Sequence, residues 1–226
     1  MNKSLAFAAL LLVSAATAAS GAVLDPVQVD AAHLVPPPPP AGSAQAEAEL
    51  AEIHAIHARS SDSEIEAARK DSDDEKPDMF NNVIGFDLTM RPLTTALLKT
   101  VIDEEEAATK GAKKYFHRDR PWIVDGTVAT CTLVPPGPAA NSYPSGHSTV
   151  GFAMGVVLAN LMPEKSQAIL ARSSEFAEHR LVCGVHFRSD IVAGQQYGTI
   201  LALTLMQNPD FQLRMAKARE ELRAAR

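Results

Sequence analysis

Three short clusters of basic, histidine and acidic residues lie in the second half of the chain. They are Lys113 with Arg120-Pro121, then Pro144-Ser145-Gly146-His147, and then Arg180 with His186 and Asp190. Arginine and lysine side chains hold the oxygens of a phosphate group, and histidine serves as a nucleophile or as an acid. The set therefore predicts chemistry on a phosphate ester.

The predicted phosphate site combines side-chain cations with backbone amides. Lys113, Arg120 and Arg180 supply three positive charges. Ser145-Gly146 directly precedes an apolar segment, so its amides are expected at a helix N-terminus, where anions bind. Gly146 has no Cβ and lets the backbone approach the ligand closely.

The two histidines of the clusters suit two different roles. His186 and Asp190 are four residues apart, on one helix face, so the aspartate can fix the tautomer and leave the other ring nitrogen free to attack phosphorus. His147 can then protonate the leaving group. Because the cations supply the electrostatic stabilisation, we predict that neither a metal nor a cofactor is needed. An acidic pH optimum follows, because His147 must be protonated while His186 is neutral.

Each cluster alone also has a structural explanation. Basic residues near Pro121 are typical of a helix end, Ser145 of a helix N-cap, and His186 with Asp190 of an exposed pair. Their occurrence together and in this order favours the catalytic interpretation.

The three clusters resemble the signature of the type 2 phosphatidic acid phosphatase superfamily. This superfamily contains bacterial class A non-specific acid phosphatases, membrane lipid phosphatases and vanadium haloperoxidases. The stretches Asn141–His147 and Cys183–Asp190 are similar to the soluble class A enzymes, which are exported and all-helical and carry a proline-rich N-terminal segment. The resemblance implies hydrolysis of small phosphate monoesters. It allows a homodimer. One position departs from the pattern, because His179 stands where the third motif usually has serine.

By position, the resemblance assigns the same roles as the chemistry. Phosphate binding falls to Lys113, Arg120 and Arg180 with help from Ser145 and Gly146, and catalysis to His147 as acid, His186 as nucleophile and Asp190 as its partner. Related activities remain alternatives: a soluble lipid phosphatase, a phosphotransferase, a vanadium-dependent haloperoxidase, or a phosphate-binding protein without catalysis.

Composition limits the fold and the partners. Apolar residues make up 46% of the chain and aromatic residues only 5%, with abundant Ala and Leu, which favours an all-α single domain. The net charge is −6 without a long basic run, so nucleic acid is excluded as a partner. The apolar helices are short or interrupted by Gln195 and Gln196, which argues against stable membrane insertion.

The N-terminus has the features of a secretory signal peptide over residues 1–22. Lys3 precedes the short apolar run Leu5–Val13, and the candidate cleavage motifs are Ala16-Thr17-Ala18 and Ser20-Gly21-Ala22. An uncleaved anchor is the alternative, although the run is short for a bilayer. The prediction is a periplasmic or secreted protein.

Export changes the interpretation of Cys131 and Cys183. An oxidising compartment favours a disulfide, worth roughly 3–4 kcal/mol for a loop of this length in the chain-entropy model. Two buried thiols are the alternative.

Residues 23–44 are predicted to form a proline-rich leader on the surface, and residues 45–226 the catalytic domain. Helices are predicted at 45–59, partly at 61–75, and at 93–115, 148–161, 164–182 and 190–206, followed by a last helix capped by Asn208. Gly184 is expected to break the chain between Arg180 and His186. Residues 122–143 are predicted to form a long loop that builds the leaving-group pocket with the N-terminal helices. His54 and His57 have a metal-compatible spacing, but no third ligand is evident, so packing is favoured.

Overall fold

The structure is a computed structural model that describes residues 23–73, 75–134 and 139–224. Over these residues the chain forms helices and no strand, so the predicted all-α fold is confirmed. The predicted signal peptide, and Pro135 to Pro138 of the predicted loop, lie outside the described residues. The α-helices are α1 Ala31–Leu34, α2 Ala44–Arg59, α3 Asp62–Ser72, α4 Asn81–Ile84, α5 Pro92–Phe116, α6 Pro121–Val124, α7 Gly146–Leu161, α8 Ser166–Val182, α9 Arg188–Leu205 and α10 Pro209–Ala224.

Helix α7 lies at the centre and packs against α5, α8 and α9. Its side chains are buried on nearly every side, as its almost uniformly apolar sequence predicts. Helix α9 approaches it closely because Gly198 has no side chain: a Cβ there would lie 2.1 Å from the carbonyl oxygen of Thr149. This close contact brings the start of α9, with Asp190, beside the start of α7, where the backbone amide of Ser145 donates to the carbonyl of Asp190 at 3.0 Å.

Helix α5 carries the first motif at its C-terminal end. It begins with Pro92, and the Glu221 carboxylate of α10 accepts hydrogen bonds from the backbone amides of Leu93 and Thr94 at 3.0 and 2.8 Å. The capping group thus comes from another helix and not from the preceding residue. The helix ends where His117 adopts a left-handed conformation with φ of 48°, which turns the chain toward Arg120.

A tight turn joins α8 to α9, as predicted at Gly184. Its φ is +67°, and a Cβ there would lie 2.2 Å from the carbonyl oxygen of Ala129, so only glycine fits. The predicted disulfide Cys131–Cys183 is present beside this turn. The bond joins the loop after α6 to the chain segment that carries the third motif.

The remaining boundaries follow the sequence closely. Asn208 caps α10 by accepting from the backbone amides of Asp210 and Phe211 at 2.9 and 3.1 Å. The predicted start of the long loop at Trp122 is wrong by a few residues, because Pro121–Val124 forms the short helix α6. Proline at the first helical position favours this turn of helix.

Residues 23–44 pack against the helical body, which the proline run does not predict. Leu24, Val29 and Val35 are buried within the main hydrophobic core. The hydroxyl of Tyr197 donates to the carbonyl of Val29 at 2.6 Å, and the hydroxyl of Tyr143 donates to the carbonyl of Pro36. Apolar residues ahead of the proline run therefore fix this segment to the domain. In the described part of the chain, no helix has the length and apolar character needed to span a bilayer.

Candidate active site

The third motif forms a hydrogen-bonded pair at the start of α9. His186 is buried, and its Nδ1 lies 3.2 Å from Oδ2 of Asp190. Its Nε2 lies 2.9 Å from a terminal nitrogen of Arg120. A guanidinium group only donates, so Nε2 must be the acceptor and Nδ1 must carry the proton. The lone pair of Nε2 therefore points at Arg120, one of the predicted phosphate-binding cations.

Asp190 is held by four donors from three parts of the chain. Besides His186, its carboxylate accepts from the hydroxyl of Ser142 at 2.6 Å, the backbone amide of Phe187 at 2.8 Å and the guanidinium of Arg118 at 2.7 Å. Burial raises the pKa of Asp190, and Arg118 and the other donors oppose that rise. With so many donors directed at it, the carboxylate is the form that satisfies the contacts.

Arg118 positions Asp190 and does not join the phosphate site. Its second terminal nitrogen donates to the carboxylate of Glu49 on α2 at 2.7 Å, and both side chains are at least nine-tenths buried. Glu49 also accepts from the backbone amide of Ser189 at 2.9 Å. Arg118 and Arg120 therefore have different partners: Arg118 contacts Asp190 and Glu49, while Arg120, which keeps the spacing of the first motif, contacts His186.

Asn141 holds the two cations of the first motif. Nζ of Lys113 donates to its backbone carbonyl, and Nε of Arg120 donates to its side-chain oxygen, both at 2.9 Å. Arg120 also donates to the carbonyl of Val185 at 2.7 Å. The structure therefore brings Lys113 and Arg120 together beside the residue that precedes His186.

The second motif begins α7, as predicted. Ser145 is fully buried and caps the helix by accepting from the backbone amide of Ser148 at 3.3 Å. Its own amide donates to Asp190, so that amide is not directed at a ligand as the sequence suggested. The first helical turn leaves the amides of Gly146 and His147 without intrahelical acceptors. A Cβ on Gly146 would lie 3.9 Å from Nζ of Lys113, so the glycine keeps open the space next to this cation.

His147 contacts two acceptors. Its Nδ1 lies 2.7 Å from the carboxylate of Glu75, and its Nε2 lies 3.1 Å from the backbone carbonyl of Ser72. Both contacts are satisfied only when both ring nitrogens carry protons. The ring stacks on Phe176 with centroids 5.5 Å apart. This environment suits a histidine that gives up a proton.

Arg180 completes the set of cations from the C-terminal end of α8. One terminal nitrogen donates to the hydroxyl of Ser72 at 2.7 Å. Within the described residues, its Nε is buried and has no hydrogen-bond partner. A buried donor of this kind is costly unless a ligand accepts from it.

His179, the departure from the family pattern, supports the residue next to Ser72. Its Nδ1 lies 2.6 Å from Asp71, which also binds the guanidinium of Arg172 through both carboxylate oxygens at 2.5 and 2.9 Å. Burial alone would raise the pKa of Asp71, but hydrogen bonds from His179 and Arg172 lower it overall. The pair therefore ties α3 to α8 next to Arg180.

The electrostatics indicate an anion site. Burial first, and then Arg120, lowers the pKa of Lys113 to about 8 and that of Arg180 to about 10. Burial lowers the pKa of His186 well below its ordinary value, and Arg120, Lys113 and Arg180 lower it further. These cations repel one another in a poorly solvated space, and a bound dianion would relieve that repulsion.

An open cleft of about 540 Å³ is lined by Lys113 of this set of cations, next to Gly146 of the second motif. Helix α5 contributes most of the lining, including Glu105, Thr109 and Lys113, while Glu75 comes from the N-terminal half and Asn141 from the end of the long loop. Burial raises the pKa of Glu105 to about 8, although a hydrogen bond from Thr109 opposes the rise. The Glu105 side chain is therefore uncharged at acidic pH.

The sequence motifs did not identify the supporting residues. Ser72, Glu75 and Arg118 are the main ones, and they lie outside the three clusters. Their only sequence signal is polarity next to a helix end, which is common at protein surfaces. Outside the motifs, His54 has a structural contact, because its Nε2 lies 3.0 Å from Asp125.

The chain is similar to a protein family and to several known proteins. The sequence model of the PAP2 superfamily matches residues 90–214, which is more than half of the chain. A non-specific acid phosphatase of Providencia stuartii is 32% identical over 201 residues, which cover 85% of this chain and 81% of that relative. A non-specific acid phosphatase of Salmonella typhimurium is 36% identical over 153 residues, covering 64% of this chain and 59% of the relative.

A solved structure shares the fold. It is the crystal structure of a transmembrane PAP2-type phosphatidylglycerolphosphate phosphatase from Bacillus subtilis, with a TM-score of 0.57 and 18% identity over 83% of this chain and 96% of that one. The chain belongs to the PAP2 superfamily. The predicted relationship to class A non-specific acid phosphatases, and with it the predicted enzyme class, is confirmed.

Proposed function

We propose that the chain is an exported acid phosphatase that hydrolyses small phosphate monoesters through a phosphohistidine on His186, without a metal ion. The observation that carries the proposal is the orientation of His186. Its unprotonated Nε2 accepts from Arg120, and its Nδ1 contacts Asp190. Of the three cations of the site, Arg180 is buried and Lys113 and Arg120 are partly buried. This arrangement presents a lone pair to a phosphorus atom held by the cations.

The reaction has two steps. Nε2 of His186 attacks phosphorus, the bond to the leaving oxygen breaks, and that oxygen takes a proton from His147. Water then attacks the phosphohistidine, giving its proton to His147, and the phosphorus–nitrogen bond breaks to release phosphate and restore Nε2. Lys113, Arg120 and Arg180 stabilise the charge on the non-bridging oxygens in both steps.

The pKa directions support acidic operation. Burial lowers the pKa of His147 and lowers that of His186 much further, while the hydrogen bond to Glu75 holds the pKa of His147 up. His147 is protonated below its own pKa, and His186 is neutral above its lower one. The working range therefore lies between the two, on the acidic side of neutrality.

The cleft supports small, water-soluble substrates. It is open, and the Glu105 side chain is neutral at acidic pH, so this side chain does not repel the phosphate group there. The cations contact only the phosphate group in this scheme, so the leaving group is selected by the α5 wall.

The decisive test compares wild type with His186→Ala and His147→Ala in the presence of EDTA. We expect wild-type activity to survive EDTA and His186→Ala to lose more than about a thousandfold in kcat. His147→Ala should still accumulate phosphohistidine from an aryl phosphate, whose leaving group needs little protonation. The exposed His33→Ala is the matched control. Full activity in His186→Ala, or loss of activity with EDTA, contradicts the mechanism.

Export and assembly are separate parts of the proposal. The signal-like residues 1–22 and the disulfide support a periplasmic or secreted location. Fractionation of expressing cells tests the location, and light scattering of the purified chain tests the homodimer that the family resemblance allows.

A further inference from the structure

The N-terminal segment is held by a carboxylate on α5. The backbone amides of Val23 and Leu24 both donate to the side chain of Glu104, at 2.6 and 3.0 Å, one to each carboxylate oxygen. Leu24 is buried in the core, which fixes the direction in which the chain enters. One carboxylate thus contacts two consecutive backbone nitrogens about 80 residues earlier in the chain.

The nitrogen of Val23 follows the second of the two candidate cleavage motifs. Ser20-Gly21-Ala22 has small residues at the last and third-last positions, as Ala16-Thr17-Ala18 also has. The sequence does not choose between them. The contact with Glu104 favours cleavage after Ala22, because only that cleavage gives the nitrogen of Val23 a positive charge opposite this carboxylate.

We propose that a signal-peptidase-type protease hydrolyses the Ala22–Val23 bond and that Glu104 is the binding site for the new N-terminal ammonium of Val23. Water adds across the peptide bond, which leaves a carboxylate on Ala22 and an ammonium on Val23. A neutral amide donor then becomes a cation with three donors opposite a carboxylate, which is the stronger kind of hydrogen bond. Cleavage after Ala18 would leave a neutral amide at Glu104.

The new ion pair would stabilise a segment that reaches the active site. From Val23 the segment runs through Val29, which contacts Tyr197, to Pro36, whose carbonyl accepts from Tyr143. Tyr143 directly precedes Pro144 and the second motif. Processing would therefore strengthen the attachment of a segment that supports the start of α7.

The first experiment identifies the terminus. The full chain is produced in a bacterium that exports it, and the purified protein is analysed by intact mass and N-terminal sequencing. We expect Val23 as the first residue. A chain that begins at Ala19, or that retains residues 1–22, overturns the proposal.

The second experiment measures the ion pair through the pH dependence of Tm. The processed chain is compared with one that begins at Ala19, exported from a fused host signal and verified by mass. An ammonium that gains a partner has a raised pKa, so its stabilisation is present below about pH 8 and is lost as the pH rises through that raised value. We expect the processed chain to melt about 2 °C higher at pH 6 and the difference to vanish by about pH 10.

Other ionisable groups lie near this site, and the comparison removes their effect. Asp25 and Asp30 lie on the segment, Glu105 on α5 and Tyr197 on α9, and burial raises the pKa of Glu105 to about 8, within the same range. All four are present in both chains, so their contributions cancel in the difference. We expect Glu104→Gln to abolish the difference and the exposed Asp103→Asn on the same helix to keep it. A difference that persists in Glu104→Gln, or no pH-dependent difference in wild type, contradicts the role of Glu104.

Discussion

Glu75 is predicted to set the upper pH limit of activity through His147. The two side chains meet at 2.7 Å, with His147 only 19% exposed and Glu75 49% exposed. A neighbouring carboxylate favours the charged form of a histidine, and the solvent around Glu75 weakens that effect. We therefore expect Glu75→Gln to lower the pKa of His147, because the hydrogen bond to Glu75 raises it.

The consequence is a displaced pH profile with an unchanged maximum. Below both pKa values His147 is protonated in either protein, and kcat/KM should be similar. Above them, the variant should be up to about tenfold slower on an alkyl phosphate, because its His147 loses the proton at a lower pH than in wild type. An aryl phosphate with an acidic leaving group should show a much smaller difference.

The assay is kcat/KM against pH with glycerol phosphate and nitrophenyl phosphate. Glu106→Gln is the control, because it removes another carboxylate from the same cleft and no contact joins Glu106 to His147 in the structure. The reasoning is refuted if the fall of kcat/KM at alkaline pH occurs at the same pH in Glu75→Gln as in wild type, or if it shifts equally for both substrates.

Three further outcomes are expected. His179→Ser should lower Tm by about 2–4 °C and reduce kcat severalfold by loosening Asp71 next to Ser72, with partial rescue in His179→Asn, as measured by thermal melts and kinetics. Glu105→Gln should leave KM unchanged at pH 5 but lower it relative to wild type above pH 8, where the native carboxylate becomes charged and repels phosphate; equal KM values at both pH values contradict this. Replacing Cys131 and Cys183 by serine should cost about 2–4 kcal/mol of unfolding free energy in urea titrations, and the reducing agent dithiothreitol should have the same effect on wild type only.

Much of the fold could be predicted because α7 and α9 are defined by local signals. The apolar run from Gly146 to Leu161, Ser145 before it and Pro163 after it mark one helix without reference to the rest of the chain. Gly184 marks the turn that separates Arg180 from His186. The order and spacing of the motif residues follow from these elements.

The supporting residues could not be predicted because their partners are distant in sequence. Glu75 and its partner His147 are 72 residues apart in the sequence. The partners of Arg118 are Glu49, which lies 69 residues before it, and Asp190, which lies 72 residues after it. Sequence periodicity and capping rules concern nearby residues and do not predict contacts between residues this far apart. The packing of the N-terminal segment could not be predicted for the same reason, since Val29 accepts a hydrogen bond from Tyr197, which is 168 residues away in the sequence.

Arg118 makes the orientation of His186 depend on α2, which carries none of the three motifs. Its guanidinium joins Glu49 of α2 to Asp190, and α2 contacts α8 and the segment around His186 but not the central α7 extensively. A fluctuation that releases α2 from the body removes one acceptor from Arg118 and loosens Asp190, while the core around α7 stays folded. Heat should thus inactivate the enzyme before it melts, and the gap between the two temperatures measures how firmly α2 is attached.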